Sequence, residues 1–188
     1  MTRLVDAIAA EDLKERPDFK PAWRPAIVAM QPAIAWAVNT YGQRLVTQSM
    51  LSAIISRESN FQNIFQAGVP RGPGCGVGPC QITAGVDWTD VDHPTLAPYG
   101  DLTVVRNNLW AAVAGFLVPA LVAFPGSHRD AFDSYNLGVG GVEQELSAGE
   151  DPDALTTGGN YGTAVFDAWI TYAAIALGVS VDWTGYTP

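Results

Sequence analysis

Residues 49–61 read SMLSAIISRESNF, and this stretch decides the fold of the chain. Leu51, Ile54 and Ile55 are spaced so that they share one face of an α-helix, and Glu58 follows one turn later on the same face. Polar residues and a stretch rich in glycine and proline come next, so the helix has to end soon afterwards. The sequence therefore predicts a buried helix whose last turn carries a carboxylate toward the interior.

A carboxyl group in this position has a specific chemical use. Burial disfavours the charged form and raises the pKa of a glutamic acid. A glutamic acid that stays protonated near neutral pH can donate a proton to a leaving group. The alternative is an ordinary helical glutamate that is solvated, or paired with Arg57 or with a more distant base. Glu58 is therefore a candidate catalytic acid at a helix end that a cleft could reach.

Length and composition restrict the class of protein. The chain has 188 residues, of which 48% are hydrophobic and 15% charged, and this predicts a well-buried globular protein rather than a disordered one. We expect a helical N-terminal extension over residues 1–40, packed on or leading into one domain over residues 41–188. The net charge of −9 argues against nucleic acid as a partner, because phosphate binding needs clustered Lys and Arg.

Two segments are candidates for targeting or membrane insertion. Residues 1–20 contain acidic residues that interrupt any apolar run, so they do not form a classical signal peptide. Residues 109–124, LWAAVAGFLVPALVAF, carry no charge but are short for a membrane span. We expect a soluble protein without membrane insertion, in which this run is a core helix that is kinked or ended at Pro119.

Residues 62–103 contain most of the loop signal. Many glycines and prolines surround Gln81, which predicts a small hairpin or a set of turns after the central helix. The glycines would let the backbone approach a ligand closely. Cys75 and Cys80 lie in the same loop and would be either a small disulfide in an oxidising compartment or two free thiols. A zinc site is poorly supported, and we expect neither a metal nor a cofactor.

The remaining pattern is helical, and no alternating strand pattern is sustained. Pro32 marks either a break or a first-turn position in its helix, and Ser127 is a candidate N-cap. We therefore expect a mostly-α protein with one Gly-rich loop. The expected helices cover residues 4–15, 26–41, 43–59, 107–124, 128–137, 142–148 and 160–177.

Five short motifs in this order resemble the lysozyme-like fold of soluble lytic transglycosylases and goose-type lysozymes. In that family a helix ends in Glu-Ser, and a G-L-M-Q-[IV] loop, an N-[IL]-x-x-[GA] helix, an A-Y-N-x-G motif and a late Tyr follow. The resemblance covers roughly residues 45 to 175. The matching segments are Glu58-Ser59, Gly78-Pro79-Cys80-Gln81-Ile82, Asn108-Leu109, Ser134-Tyr135-Asn136-Leu137-Gly138 and Asn160-Tyr161.

The resemblance implies a role for each matched polar residue. Glu58 corresponds to the family's catalytic acid, and Ser59 to the serine that helps to shape the same site. Residues that orient the sugar or the catalytic acid would be Gln81, Tyr135, Asn136 and Tyr161. Each also has a structural interpretation: the tyrosines as core aromatics with a hydroxyl at the surface, and the amides as partners of loop backbone.

The resemblance implies cleavage of the β-1,4 bond between N-acetylmuramic acid and N-acetylglucosamine in peptidoglycan strands. Transglycosylases of this family use one glutamate and form a 1,6-anhydro sugar, whereas the hydrolytic relatives position a water with an aspartate. Asp87, Asp90 and Asp92, beside Trp88, are the candidates for that second carboxylate, although they also suit a solvated loop or sugar binding. A third interpretation is a glycan-binding module without activity. We expect a monomeric, phage-encoded lysin or virion-associated enzyme that acts on the bacterial cell wall.

Overall fold

A computed structural model describes residues 2–15, 20–70, 74–83 and 96–178. This part of the chain is mostly helical, which confirms the expected mostly-α class. A short antiparallel hairpin consists of β1 (Gly76–Val77) and β2 (Ile82–Thr83). The α-helices are α1 (Thr2–Glu15), α2 (Lys20–Tyr41), α3 (Gln48–Ser59), α4 (Val105–Trp110), α5 (Val118–Ala123), α6 (His128–Leu137), α7 (Val139–Ala148) and α8 (Tyr161–Leu177).

Helix α3 lies at the centre of the molecule, in contact with α1, α2 and α8. The predicted inward face is confirmed, because Leu51, Ile54 and Ile55 are fully buried. The predicted start of this helix at residue 43 is wrong. Gln43 and the next residue adopt left-handed backbone conformations, which a helix cannot contain. Thr47 caps the helix instead, and its side chain accepts a hydrogen bond from the N–H of Met50 at 3.2 Å.

The end of α3 fixes the place of the candidate acid. Asn60 takes a left-handed conformation (φ 56°), and its N–H donates to the carbonyl of Ser56. Asparagine tolerates this conformation better than most residues, so it can end a helix as glycine often does. Phe61 is also left-handed and is buried, which anchors the chain directly after the turn. The hydrogen bond of Asn60 and the burial of Phe61 therefore fix the end of the helix that carries Glu58.

The N-terminal helices join the same hydrophobic core as the rest of the chain. Helix α1 packs against α8, and α2 packs against α4. The expectation of a break or a first-turn position at Pro32 is wrong, because α2 begins at Lys20 and continues through both Pro25 and Pro32. Both proline rings are exposed, whereas Ile27 and Ile34 on the opposite side are fully buried. Packing of the buried side holds the helix together where each proline lacks an N–H donor.

The long apolar run is one continuous helix from Val105 to Ala123, in which a π-helical segment, Ala111–Leu117, joins α4 to α5. Of the two expected outcomes at Pro119, a kink or an end, the end is wrong, because the helix continues to Ala123. The N–H of Val118, directly after this segment, donates to the carbonyl of Val113, five residues back. The helix is therefore wider in the turn that precedes Pro119. Its length and composition would suit a membrane span, but half of its most apolar stretch is buried in the core of the protein.

The remaining elements agree with the sequence pattern except at their ends. Helix α6 has the expected bounds, and Ser127 caps it by accepting from the N–H of Asp130. The expected hairpin is also present, with Val77 opposite Ile82. Cys75 and Cys80 are both buried and are free thiols. Helix α7 begins three residues earlier than expected, directly after the turn at Gly138.

Candidate active site

A cleft of about 680 Å³ opens at the end of α3. The hairpin forms one of its walls, and the end of α6 and the start of α8 form others. The side chains of Glu58, Gln81, Tyr135, Asn136 and Tyr161 all line it. Its other lining residues are Arg57, Gln66, Gly74, Ile82, Thr83, Phe116, Ser134, Leu137, Gly138 and Thr157. Five of the six residues to which the resemblance gave a role therefore meet at one cleft, although they are far apart in sequence.

Glu58 is the candidate acid, and its carboxyl group is largely withdrawn from water. Burial raises the pKa of Glu58 from 4.5 to about 7, although the hydrogen bond from Tyr161 and the charge of Arg57 act to lower it. The Tyr161 hydroxyl donates to Oε1, which leaves Oε2 as the oxygen that can carry the proton. A carboxyl group with this pKa is substantially protonated at neutral pH and can act first as an acid and then as a base.

Two tyrosines surround the carboxyl group and stay neutral. Burial raises the pKa values of Tyr135 and Tyr161 well above the ordinary value, and the nearby carboxyl of Glu58 adds to both shifts. Tyr135 donates to the carbonyl of Cys80 at 2.9 Å, which ties α6 to the hairpin loop. The two hydroxyls therefore act as hydrogen-bond donors with fixed partners rather than as bases.

Gln81 lies at the tip of the hairpin in a left-handed conformation (φ 47°). Its side-chain Nε2 donates to the carbonyl of Gly78 at 2.7 Å and to the carbonyl of Ile64 at 3.0 Å. These bonds hold the amide group in one orientation at the cleft wall. Gln81 therefore both binds the loop backbone and lines the cleft.

Ser59 is buried and does not line the cleft, unlike Glu58, Gln81, Tyr135, Asn136 and Tyr161. Its hydroxyl donates to the carbonyl of Pro79 at 2.7 Å, so it joins the end of α3 to the hairpin loop. Because Glu58 and Ser59 are adjacent, this bond also fixes the loop relative to the acid. The structure thus gives Ser59 a supporting contact rather than a place on the cleft surface.

Asn108 is a residue whose importance sequence reasoning missed, although its motif was recognised. It is fully buried, and its Oδ1 accepts from the N–H of Cys80 at 2.9 Å. Its Nδ2 donates to the carbonyls of Val77 at 2.9 Å and Leu102 at 3.2 Å. A side chain at Gly78 would collide with this amide, since a Cβ there would lie 2.4 Å from Nδ2. One buried asparagine thus holds the hairpin loop in place.

Asn136 and Arg57 both line the cleft, and both contact Thr157. The Asn136 amide makes two hydrogen bonds with Thr157, at 3.0 Å to its N–H and 3.1 Å to its hydroxyl. Arg57 donates to the carbonyl of Thr157 and lies 5.7 Å from the centre of the Tyr161 ring. The charge of Arg57 next to Glu58 was visible in sequence, but its contacts with residues about a hundred positions later were not.

Asp87, Asp90 and Asp92 lie outside the described residues. Among the described residues that line the cleft, Glu58 is the only carboxylate. No group of three or more potential metal ligands occurs in the described ranges. The expectation that no metal or cofactor takes part stays a prediction.

Comparison with known proteins does not assign the chain to a family. No family model matches the sequence, and no curated protein matches it either. The geometry of the cleft therefore carries the functional argument.

Proposed function

We propose that this protein has a lysozyme-like fold and cleaves peptidoglycan strands as a lytic transglycosylase, with Glu58 as the acid and then the base. The observation that carries the proposal is the carboxyl group of Glu58, whose pKa is raised to about 7 in a cleft of about 680 Å³. Its neighbours Gln81, Tyr135 and Tyr161 have the residue types that the transglycosylase motifs contain. The substrate class, the β-1,4 bond to N-acetylglucosamine, comes from that resemblance.

In the first step Glu58 donates its proton to the oxygen of the glycosidic bond between the two sugars. The bond to the leaving sugar breaks, and the ring that remains develops oxocarbenium character. The N-acetyl group of the same sugar assists from the opposite face, as the resemblance implies. Glu58 is now a carboxylate, and the Tyr161 hydroxyl that donates to Oε1 stabilises it.

In the second step the carboxylate of Glu58 takes the proton from the 6-hydroxyl group of the sugar. The 6-oxygen then bonds to the anomeric carbon, and the product is a 1,6-anhydro sugar. No water is consumed, and Glu58 returns to its protonated form. A single carboxyl group is sufficient for both steps, and Glu58 is the one that the described lining residues supply.

The alternative is a hydrolytic goose-type lysozyme, in which a second carboxylate positions a water for attack. A product that has taken up water would support this reading, with Asp87, Asp90 and Asp92 as the residues to vary first. Cleavage of the glycan is common to both chemistries, and both depend on the proton of Glu58. A glycan-binding module without activity would not depend on that proton.

Release of soluble fragments from purified peptidoglycan tests the enzyme against the binding module. Glu58→Gln keeps an oxygen that accepts from Tyr161 but has no proton to give, so we expect no release of fragments and unchanged folding. Glu143→Gln, at an exposed position on α7, is the matched control and should retain full activity. Equal release by the wild type and Glu58→Gln would refute the proposed role of Glu58.

A further inference from the structure

The start of helix α8 is held by residues from elsewhere in the chain. Asn160 occupies the N-cap position but makes no capping hydrogen bond with its side chain. Its Oδ1 accepts from Arg57 instead, at 3.4 Å. The first N–H of the helix, that of Tyr161, donates to the hydroxyl of Thr156 at 3.0 Å. The helix thus depends on other segments for the capping that an N-cap side chain usually provides.

Two aspartates take the next two N–H groups of α8. The N–H of Gly162 donates to Oδ1 of Asp153 at 2.8 Å and to Oδ1 of Asp133 at 2.9 Å. The N–H of Thr163 donates to Oδ2 of Asp153 at 3.0 Å. Asp133 comes from α6, and Asp153 from the 3-10 turn Pro152–Leu155. Two carboxyl groups from different elements therefore converge on one amide.

These two carboxyl groups cannot both be ionised without a large repulsion in a buried place. Their Oδ1 atoms accept from the same N–H, at 2.9 and 2.8 Å, so a single proton held by the pair removes this repulsion. Asp133 is the member suited to hold it, since its Oδ2 is buried and has no hydrogen-bond partner. Burial, followed by the hydrogen bond and charge of Asp153, raises the pKa of Asp133 to about 7. Burial alone would raise the pKa of Asp153 too, but hydrogen bonds from Thr163, Asp133 and Gly162 lower it.

The surroundings of the pair leave little room for rearrangement. A Cβ at position 162 would lie 2.2 Å from Oδ1 of Asp133, so only glycine allows the close approach. Arg129 on α6 faces both carboxyl groups, with its Nε 3.9 Å from Asp133 and 3.7 Å from Asp153. The same guanidinium also pairs with Asp151. Arg129 and Asp151 are the charged groups that the described residues place beside the pair.

Tyr161 directly precedes the clamped residue Gly162, and its hydroxyl is the group that donates to Glu58. We propose that Asp133 and Asp153 are positioning residues: as a carboxyl pair that holds one proton, they clamp the start of α8 and so keep the Tyr161 hydroxyl on Glu58. The consequence for catalysis rests on the function proposed above. The consequence for the environment of Glu58 does not, and it can be measured without any substrate.

The first test uses NMR titration in a Glu58→Gln background, where the acid itself no longer titrates. We expect the amide signals of Gly162 and Thr163 and the ring signals of Tyr161 to shift together, with one midpoint near pH 7. Adding Asp133→Asn should abolish the shift of Tyr161, because the amide then supplies the bridging hydrogen at every pH. The proposal fails if the ring signals of Tyr161 are flat with pH, or if they titrate unchanged in the Asp133→Asn variant.

The second test compares variants by the pKa of Glu58, measured from its labelled carboxyl carbon, and by kcat on peptidoglycan. Asp153→Asn places a donor against a helix N–H, so we expect Glu58 to lose the Tyr161 bond. Its pKa should rise as much as in Tyr161→Phe, with kcat lowered about tenfold and KM unchanged. The double variant Asp153→Asn/Tyr161→Phe should show no further change.

A matched variant separates this role from general destabilisation. Ile27→Val, a buried change in α2, should retain the pKa of Glu58 and full kcat. Additive effects of Asp153→Asn and Tyr161→Phe would overturn the proposal, as would equal effects of Asp153→Asn and Ile27→Val. If the wild type releases no fragments, the function proposed above fails, while the pKa comparison still decides the role of the pair. If Asp153→Asn does not fold, the titration in the Glu58→Gln background decides it.

Discussion

Replacing Glu58 by glutamine should stabilise the protein, and the gain should depend on pH. Burial raises the pKa of Glu58 in the folded state from 4.5 to about 7. The folded state therefore binds this proton more tightly than the unfolded state does. Below pH 4.5 both states are protonated and the group costs nothing. As the pH rises from 4.5 to 7, the unfolded state loses this proton while the folded state keeps it. The free energy of unfolding therefore falls over this range.

The magnitude follows from the size of the shift. A pKa that moves from 4.5 to about 7 corresponds to about 3 kcal/mol of lost stability at pH 8. Glutamine is neutral at every pH and still offers an oxygen to the Tyr161 hydroxyl. We expect Glu58→Gln to match the wild type at pH 4 and to exceed it by up to about 3 kcal/mol at pH 8. For a chain of this size, that gain raises Tm by about 6 to 12 °C.

Urea unfolding, followed by tryptophan fluorescence at several pH values from 4 to 8, measures this difference. Asp133 also has a pKa raised to about 7, but it titrates in both proteins and cancels in the comparison. Glu143→Gln, an exposed change on α7, should leave stability unchanged at each pH. A stability difference that stays constant across the pH range would mean that Glu58 titrates normally and is not kept protonated near neutral pH.

Three further substitutions test other parts of the site. Tyr161→Phe removes a hydrogen bond that lowers the pKa of Glu58, so the pH above which kcat/KM falls should move upward. A pH–rate profile measures this shift, and an unchanged profile would contradict the contact. Asn108→Ala removes the side-chain partner of three backbone groups and should cost about 3 kcal/mol in urea unfolding. A cost below about 1 kcal/mol would mean that other contacts hold the hairpin loop. Gly162→Ala brings a Cβ against Asp133 and should destabilise the protein by more than about 2 kcal/mol. Gly140→Ala, which has open space around it in α7, should stabilise the protein by about 0.5 kcal/mol. Equal effects of the two substitutions would refute the close contact at Gly162.

The helical framework could be predicted where the sequence alone determines the local structure. The inward face of α3 follows from apolar spacing, and the start of α6 follows from the capping side chain of Ser127. The true start of α3 could not be predicted as well, because it depends on left-handed conformations at Gln43 and the next residue. The continuation of α2 through Pro32 depends on packing that only the folded molecule provides.

The cleft was predictable as a set of residues but not as a set of contacts. Motif order brought together Glu58, Gln81 and Tyr161, and the structure places all three in one cleft. The contacts that hold them come from distant segments: Asp133 reaches Gly162 across 29 positions. Spacing patterns cannot reveal such pairs, because the patterns describe one element at a time. The sequence shows Asp133 only as an i,i+4 partner of Arg129 on α6, which gives no sign of its contact with Gly162.

The most direct test of the central claim is the product formed from peptidoglycan in water enriched in a heavy oxygen isotope. Mass spectrometry of the soluble fragments distinguishes the two chemistries, because only hydrolysis transfers an oxygen from water to the new sugar end. We predict fragments that end in a 1,6-anhydro sugar, carry no heavy oxygen and are absent with Glu58→Gln. Reducing ends labelled with heavy oxygen would contradict the transglycosylase mechanism, and unchanged products from Glu58→Gln would contradict the role of Glu58 altogether.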